Sequence, residues 1–191
     1  MKKGILFFIS IVLTAGFVLI ACTDSNKGAR LSEISNDSLI KRGEYLVATI
    51  GCGDCHSPKV MTAMGPVPDT TRLLSGHRSD AKMPPVNEAA LKEGWVLFYP
   101  ENTAMVSPLG ISYAANITSD STGIGNWTFN QFVIAMTKGK YKGLEGSRNL
   151  LPPMPWPNFA HMSNDDLKSI YAYLKSTKPV NNIVPVAQIN L

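Results

Sequence analysis

Two cysteines separated by two residues, with a histidine directly behind them, constrain this chain more than any other feature: Cys52-Gly53-Asp54-Cys55-His56. The 191 residues contain three cysteines in all. An odd number excludes complete internal disulfide pairing, so at least one cysteine has another task. Two thiols at this spacing can add across the two vinyl groups of one haem, and the adjacent histidine then reaches the iron from the same side. The motif reads as covalent attachment of a single haem c, with Cys52 and Cys55 as anchors and His56 as an axial ligand of the iron.

Other uses of the pattern fit less well. A thioredoxin-like redox pair needs a βαβ context, which the sequence lacks. A zinc site needs further ligands at metal spacing, whereas His77 and His161 stand alone. A disulfide across two intervening residues closes almost no loop and contributes little stability.

The third cysteine follows an export signal. Lys2 and Lys3 precede the uncharged run Ile5 to Ile20, which at about 1.5 Å per residue spans roughly 24 Å. That is short of the ~30 Å hydrocarbon core, so residues 1–21 read as a signal peptide rather than a spanning helix. The run ends in Leu19-Ile20-Ala21-Cys22, which resembles the bacterial lipobox. The resemblance implies cleavage before Cys22 and lipidation of its thiol, and several acyl chains suffice to hold a protein at a membrane without crossing it. The location implied is the bacterial cell envelope, facing the periplasm or exterior. Removing Lys2 and Lys3 lowers the formal charge from +4 to +2. No Lys/Arg cluster marks a nucleic-acid footprint, so no nucleic-acid partner is expected.

Residues 22–36 read as a flexible tether and 37–180 as the working domain, with 181–191 as a C-terminal tail. A helix is predicted from Asp37 towards Cys52, with Leu39, Ile40, Gly43, Leu46, Val47 and Ile50 on one face. A second runs from Thr128 to Lys138, with Thr128 and Gln131 as a capping box and Gly139 as its stop. A third covers Ser163 to Lys175. Between Ser57 and about Ala115 only Asn87 to Lys92 is helical, no convincing alternating strand appears, and the Pro- and Gly-rich chain reads as loop closing over a bulky ligand.

The sixth iron position has several candidates. Methionine suits an electron carrier because its soft thioether favours Fe(II) and raises the potential. Met154, within Leu150-Leu151-Pro152-Pro153-Met154-Pro155-Trp156, leads because the prolines stiffen the loop that presents it. Met83 before Pro84-Pro85 is the next candidate, followed by His161, His77 or an open site. Met61 and Met64 stand too near the attachment site, and Met136 lies on a helical core face.

Across about residues 38 to 180 the chain resembles class I c-type cytochromes, in particular the cytochrome c domains of membrane-bound alcohol and gluconate dehydrogenase cytochrome subunits. The carriers are Arg42-Gly-Glu-Tyr-Leu before the motif, the run Ile111 to Phe132, Leu151-Pro-Pro-Met154-Pro-Trp156, and the segment from Ser163 to Val180. The resemblance implies an all-α fold whose first and last helices cross, with Gly43 admitting Tyr171 or Leu174, and His56 and Met154 as axial ligands. Those subunits carry three such domains, whereas this chain has one C-x-x-C-H. Asn116 to Trp127 suits a tight turn on its Asn, Asp and Gly content. A functional role for the same run places Trp127 beside the ring, its indole N–H and Asn116 bonding a haem propionate.

The expected function is electron transfer between membrane or periplasmic redox proteins, with no separate catalytic centre. The alternatives are the electron-accepting subunit of a separate dehydrogenase, and a haem enzyme or gas sensor with an open sixth site.

Overall fold

The computed structural model describes residues 35–189. The expected signal peptide, Cys22 and most of the tether lie outside the described residues.

Helix α1 (Asn36–Ile50) leads through Gly51 into the short helix α2 (Cys52–His56). A β-hairpin follows, β1 (Lys59–Thr62) against β2 (Gly65–Pro68), and then the one-turn helix α3 (Glu88–Lys92), capped by Asn87. Strands β3 (Leu97–Phe98), β4 (Ala104–Ser107) and β5 (Gly110–Tyr113) form an antiparallel meander. Helix α4 (Phe129–Lys138), a single 3-10 turn (Tyr141–Gly143), α5 (Trp156–Phe159) and α6 (Asn164–Ser176) come next. The chain then returns to add β6 (Gln188–Ile189) to the free edge of β5.

This corrects the all-α expectation: the fold is mixed, with two antiparallel sheets. The strands escape a periodicity search because they are two to four residues long. All four residues of β4 are buried, so it carries no in-out alternation, while β2 is Gly-Pro-Val-Pro. Part of the segment between Ser57 and Ala115 is therefore ladder, while most of it is loop and turn. The residues beyond Val180 are integral as well. Asn182 is buried, its amide donates to the Ser75 and His77 carbonyls at 2.7 and 2.9 Å, and its oxygen accepts from Ser79 N at 3.0 Å.

The three long helices form where their sequence signals lie. Thr128 and Gln131 make the reciprocal capping box of α4, and Gly139 ends it in a left-handed conformation. Ser163 caps α6 by accepting from Asp166 N at 3.1 Å. The apolar faces meet in one core cluster, with Val47 from α1, Phe132 and Met136 from α4, and Leu167, Ile170 and Leu174 from α6. At about 25 cal/mol per Å², each such side chain contributes on the order of 1.5–3 kcal/mol when fully buried. Ile50, at the end of the predicted face, is 37% exposed.

Helices α1 and α6 cross at Gly43. A Cβ there would lie 2.0 Å from the Ser169 carbonyl oxygen and 2.7 Å from Tyr173 Cβ, so only glycine permits this approach. The expected crossing is present, but its contacts are Ser169 and Tyr173 rather than Tyr171 or Leu174. Arg42 fastens the rim of the crossing to Asp166 at 2.7 Å.

Candidate functional site

Because α1 runs into the motif with only Gly51 between, the α1/α6 crossing fixes where Cys52, Cys55 and His56 stand. Both cysteines are unpaired and half-buried, and Cys52 packs against the core cluster. Burial pushes the Cys52 thiol up to about 11, with the Asp54 carboxylate adding to the effect and the bond to its own backbone opposing it. Burial also raises Cys55, against the pull of Lys59. Thiols held protonated in this way lack the lowered pKa of a redox-active pair. Among the described residues, no three His, Cys, Asp or Glu side chains gather as a metal site.

His56 is oriented by the backbone. Its Nδ1 lies 2.7 Å from the Ala115 carbonyl oxygen. A carbonyl can only accept, so Nδ1 carries the proton and Nε2 keeps its lone pair. Burial holds the imidazole below its ordinary pKa, partly opposed by the Ala115 bond, so the ring is neutral at pH 7. The ring nitrogen left with a lone pair to offer is thus Nε2.

A short backbone frame stabilises this arrangement. Gly76 N donates to the His56 carbonyl at 2.7 Å, His77 N to Ala114 O at 2.9 Å, and Ile117 N to Leu74 O at 2.9 Å. Gly76 has a positive φ of 77°, and a Cβ there would stand 2.5 Å from Ala114 O. The motif's exit is pinned too: Lys59 Nζ donates to the Asp54 and Glu101 carbonyls, each at 2.6 Å, and the buried Ser57 Oγ accepts from Leu74 N at 2.9 Å.

Met154 lies in the loop between the 3-10 turn and α5, half-buried and packed against the same core cluster as Cys52. One end of the loop is fixed by Leu150 N donating to Gly139 O at 2.6 Å. At the other, the Trp156 ring lies over Gly139. The Pro152–Pro153 peptide is cis. Ser112 Oγ donates to the Pro152 carbonyl at 2.7 Å, joining the loop to β5.

The remaining candidates occupy other settings. Met136 is in the core, Met61 and Met64 are exposed at 70% and 95% on the hairpin, Met83 is half-buried in a loop, and His161 is exposed. Met162 is half-buried against the core cluster, as Met154 is. His77 is 1% exposed, accepts from or donates to Thr103 Oγ1 at 2.8 Å, and packs against Tyr99 and Tyr113. Its Nε2 is the buried side-chain polar atom left without a partner among the described residues.

Trp127 is half-buried against the core cluster, its carbonyl accepting from Tyr171 Oη at 2.6 Å. Asn116 is committed inside the protein. Its Nδ2 donates to Thr122 Oγ1 and Val180 O at 3.1 and 2.8 Å, and its Oδ1 accepts from Thr118 N and Oγ1. With both amide protons used, Asn116 organises the 116–127 turn and has none left for an outside acceptor. The two residues paired in the sequence analysis therefore separate.

The positioning residues Ala115, Gly76 and Ser112 carry no signature of their own. Two act through backbone atoms and the third is an unremarkable serine. The one available signal was that Ser112 and Ala115 both fall inside the Ile111 to Phe132 run. The groove between the start of α1 and α6, edged by Leu39, Ile40, Phe129 and Tyr171, contains none of the motif residues.

No protein-family model matches the chain. It is 31% identical over 157 residues to the gluconate 2-dehydrogenase cytochrome c subunit of Pantoea cypripedii, covering 82% of this chain and 26% of the relative. Against the cytochrome c subunit of a quinone alcohol dehydrogenase from Gluconobacter oxydans it is 32% identical, covering 80% of this chain and 24% of the relative. The fructose dehydrogenase cytochrome subunit of Gluconobacter japonicus is 39% identical over 88 residues, 45% of this chain and 18% of that subunit. The chain spans about a quarter of the length of the first two. It is a relative of the cytochrome c domains of dehydrogenase cytochrome subunits.

Proposed function

We propose that this chain is a single-haem cytochrome c that carries electrons one at a time. The observation that bears most weight is the His56 Nδ1–Ala115 bond, which keeps Nε2 free for iron beside two unpaired thiols. The donor set fits haem c: two protonated thiols for thioethers, a neutral imidazole, and a thioether at Met154 against the same apolar cluster as Cys52.

The haem supplies a one-electron couple that needs no acid, base or nucleophile from the protein. Cys52 and Cys55 would hold it covalently, and His56 and Met154 would ligate its iron. The Ala115 carbonyl strengthens the imidazole as a donor by accepting from Nδ1. Val47, Phe132, Leu167 and Ile170 belong to the apolar cluster against which Cys52 and Met154 pack. Trp127 Nε1 has no protein acceptor among the described residues, which leaves it available to a propionate.

The partners proposed are redox proteins, among them a dehydrogenase catalytic subunit, since the relatives are named as dehydrogenase subunits. Cys22 is proposed to anchor the chain to a bacterial membrane facing the periplasm. Among the described residues no helix is long and apolar enough to cross a membrane.

Visible spectra of the exported protein with Met154→Ala test the ligation. The wild type should be low-spin with the weak ferric band of thioether ligation, and the variant should lose that band and bind cyanide or CO readily. An unchanged ferric spectrum in the variant would refute Met154 as ligand. A high-spin wild type would favour the open-site enzyme or sensor.

A further inference from the structure

We propose that Ser112 is a positioning residue for the sixth ligand, and that β5 with its extension to Ala115 is one backbone strut holding both axial arms. This rests on the proposed His56/Met154 ligation. Within four consecutive residues the strut makes one bond to each arm. Ser112 Oγ donates to the Pro152 carbonyl at 2.7 Å, two residues before Met154, and the Ala115 carbonyl accepts from His56 Nδ1 at 2.7 Å.

The strut is itself rigid. Ile111 and Ser112 are in register with Val106 and Met105 of β4, and Ile111 with Gln188 of β6. Beyond the ladder, Ala114 N donates to Thr103 O at 2.8 Å and Ala114 O accepts from His77 N at 2.9 Å.

The Met154 side chain packs on the core cluster, but the loop backbone depends on the strut, because among the described residues its other ties to the rest of the protein are at the loop's ends. Leu150 is bonded to Gly139, and Trp156 lies over Gly139. Between these points Pro152, Pro153 and Pro155 have no N–H to donate, and Met154 N makes only a long 3.3 Å bond to Leu151 O. Ser112 therefore supplies the short bond that joins the middle of the loop to the rest of the protein. It lies where β5, Leu151 and Pro152 line a small cleft, so the hydroxyl is partly shielded. A thioether is a weak ligand, and loosening its loop lets a competing ligand enter more easily.

The test is titration of the ferric holoprotein with imidazole, which competes for the sixth position, together with the midpoint potential. Removing one such hydrogen bond should tighten apparent imidazole binding in Ser112→Ala on the order of 3- to 10-fold. The midpoint potential should fall as the bond to sulfur weakens. Ser112→Thr keeps the hydroxyl and should restore both values. Thr62→Ala removes a comparable side-chain bond, to Gly65 O in the β1–β2 hairpin, and should leave imidazole affinity unchanged. If Ser112→Ala titrates like the wild type while Met154→Ala abolishes the thioether band, the positioning role is wrong and the ligation stands. If Met154→Ala leaves the spectrum unaltered, the ligation fails and this proposal falls with it. Equal tightening in Thr62→Ala would reduce Ser112 to a general stability effect and overturn the assignment.

Discussion

The helical crossing and the sheet-built frame support the same site by different means. At the crossing, α1 and α6 bury side chains and close on Gly43, and the information lies in which side chains recur every three to four residues. In the frame, the working contacts are Gly76 N to His56 O, His56 Nδ1 to Ala115 O and Ser112 Oγ to Pro152 O, each accepted by a backbone carbonyl. Apolar burial is non-directional and gives the stable platform. Hydrogen bonds depend on angle and distance, so they are suited to aiming an imidazole and a methionine loop.

The largest expected effect is at the crossing. Alanine is favoured over glycine inside a helix by about 1 kcal/mol. In Gly43→Ala, however, the new methyl would meet the Ser169 carbonyl at 2.0 Å. The overpacking penalty should win and lower stability by about 2 kcal/mol net, measured by denaturant unfolding. A raised midpoint would show that the helices separate at little cost, and the contrast between a tight crossing and an aiming frame would break.

An intermediate effect separates the two regions by pH. His77 sits in the frame with Nε2 unpartnered, and burial lowers its pKa, the Arg78 charge adding to this while Glu101 opposes it. The unfolded chain therefore binds the proton first as pH falls. Stability is fully present above the ordinary histidine value of ~6.5 and is lost below it, with a slope of up to ~1.4 kcal/mol per pH unit, until the folded-state pKa is passed. Thermal melts from pH 7.5 to 5 should show this slope, and His77→Asn should reduce it to the share left by His56, which burial also holds below its ordinary value. A slope undiminished in His77→Asn would remove His77 as a source of the acid sensitivity.

The smallest effect is at the rim of the crossing. The Arg42 guanidinium bonded to Asp166 holds that carboxyl below the usual range. Its contribution is present above the ordinary carboxylate pKa of ~3.9 and is lost as pH falls through the depressed value. The pair is partly exposed, so Arg42→Ala should cost at most about 1 kcal/mol, and less at high salt. A larger loss, unaffected by salt, would mean that the arginine stem packs rather than pairs.

Legibility followed the same division. Val47, Phe132, Leu167, Ile170 and Leu174 could be placed in a core from spacing, and Thr128, Ser163, Asn87 and Gly139 marked helix ends because capping is a local interaction. The sheets could not be read, since β4 is uniformly buried and β6 comes from more than seventy residues beyond its partner β5. Asn116 misled because an amide looks the same whether it faces a ligand or, as here, bonds Thr118, Thr122 and Val180.

Taken alone, the sequence determined the existence of the long helices and marked Cys52, Cys55 and His56 as the candidate site, since motif spacing, helical period and caps are local to a few residues of chain. The tertiary structure alone decided that Gly43 meets Ser169, that Ala115 holds His56, that Ser112 holds the Met154 loop and that Asn182 closes the fold. Those contacts join residues tens of positions apart, largely through backbone groups that every residue carries, so no side-chain pattern could announce them.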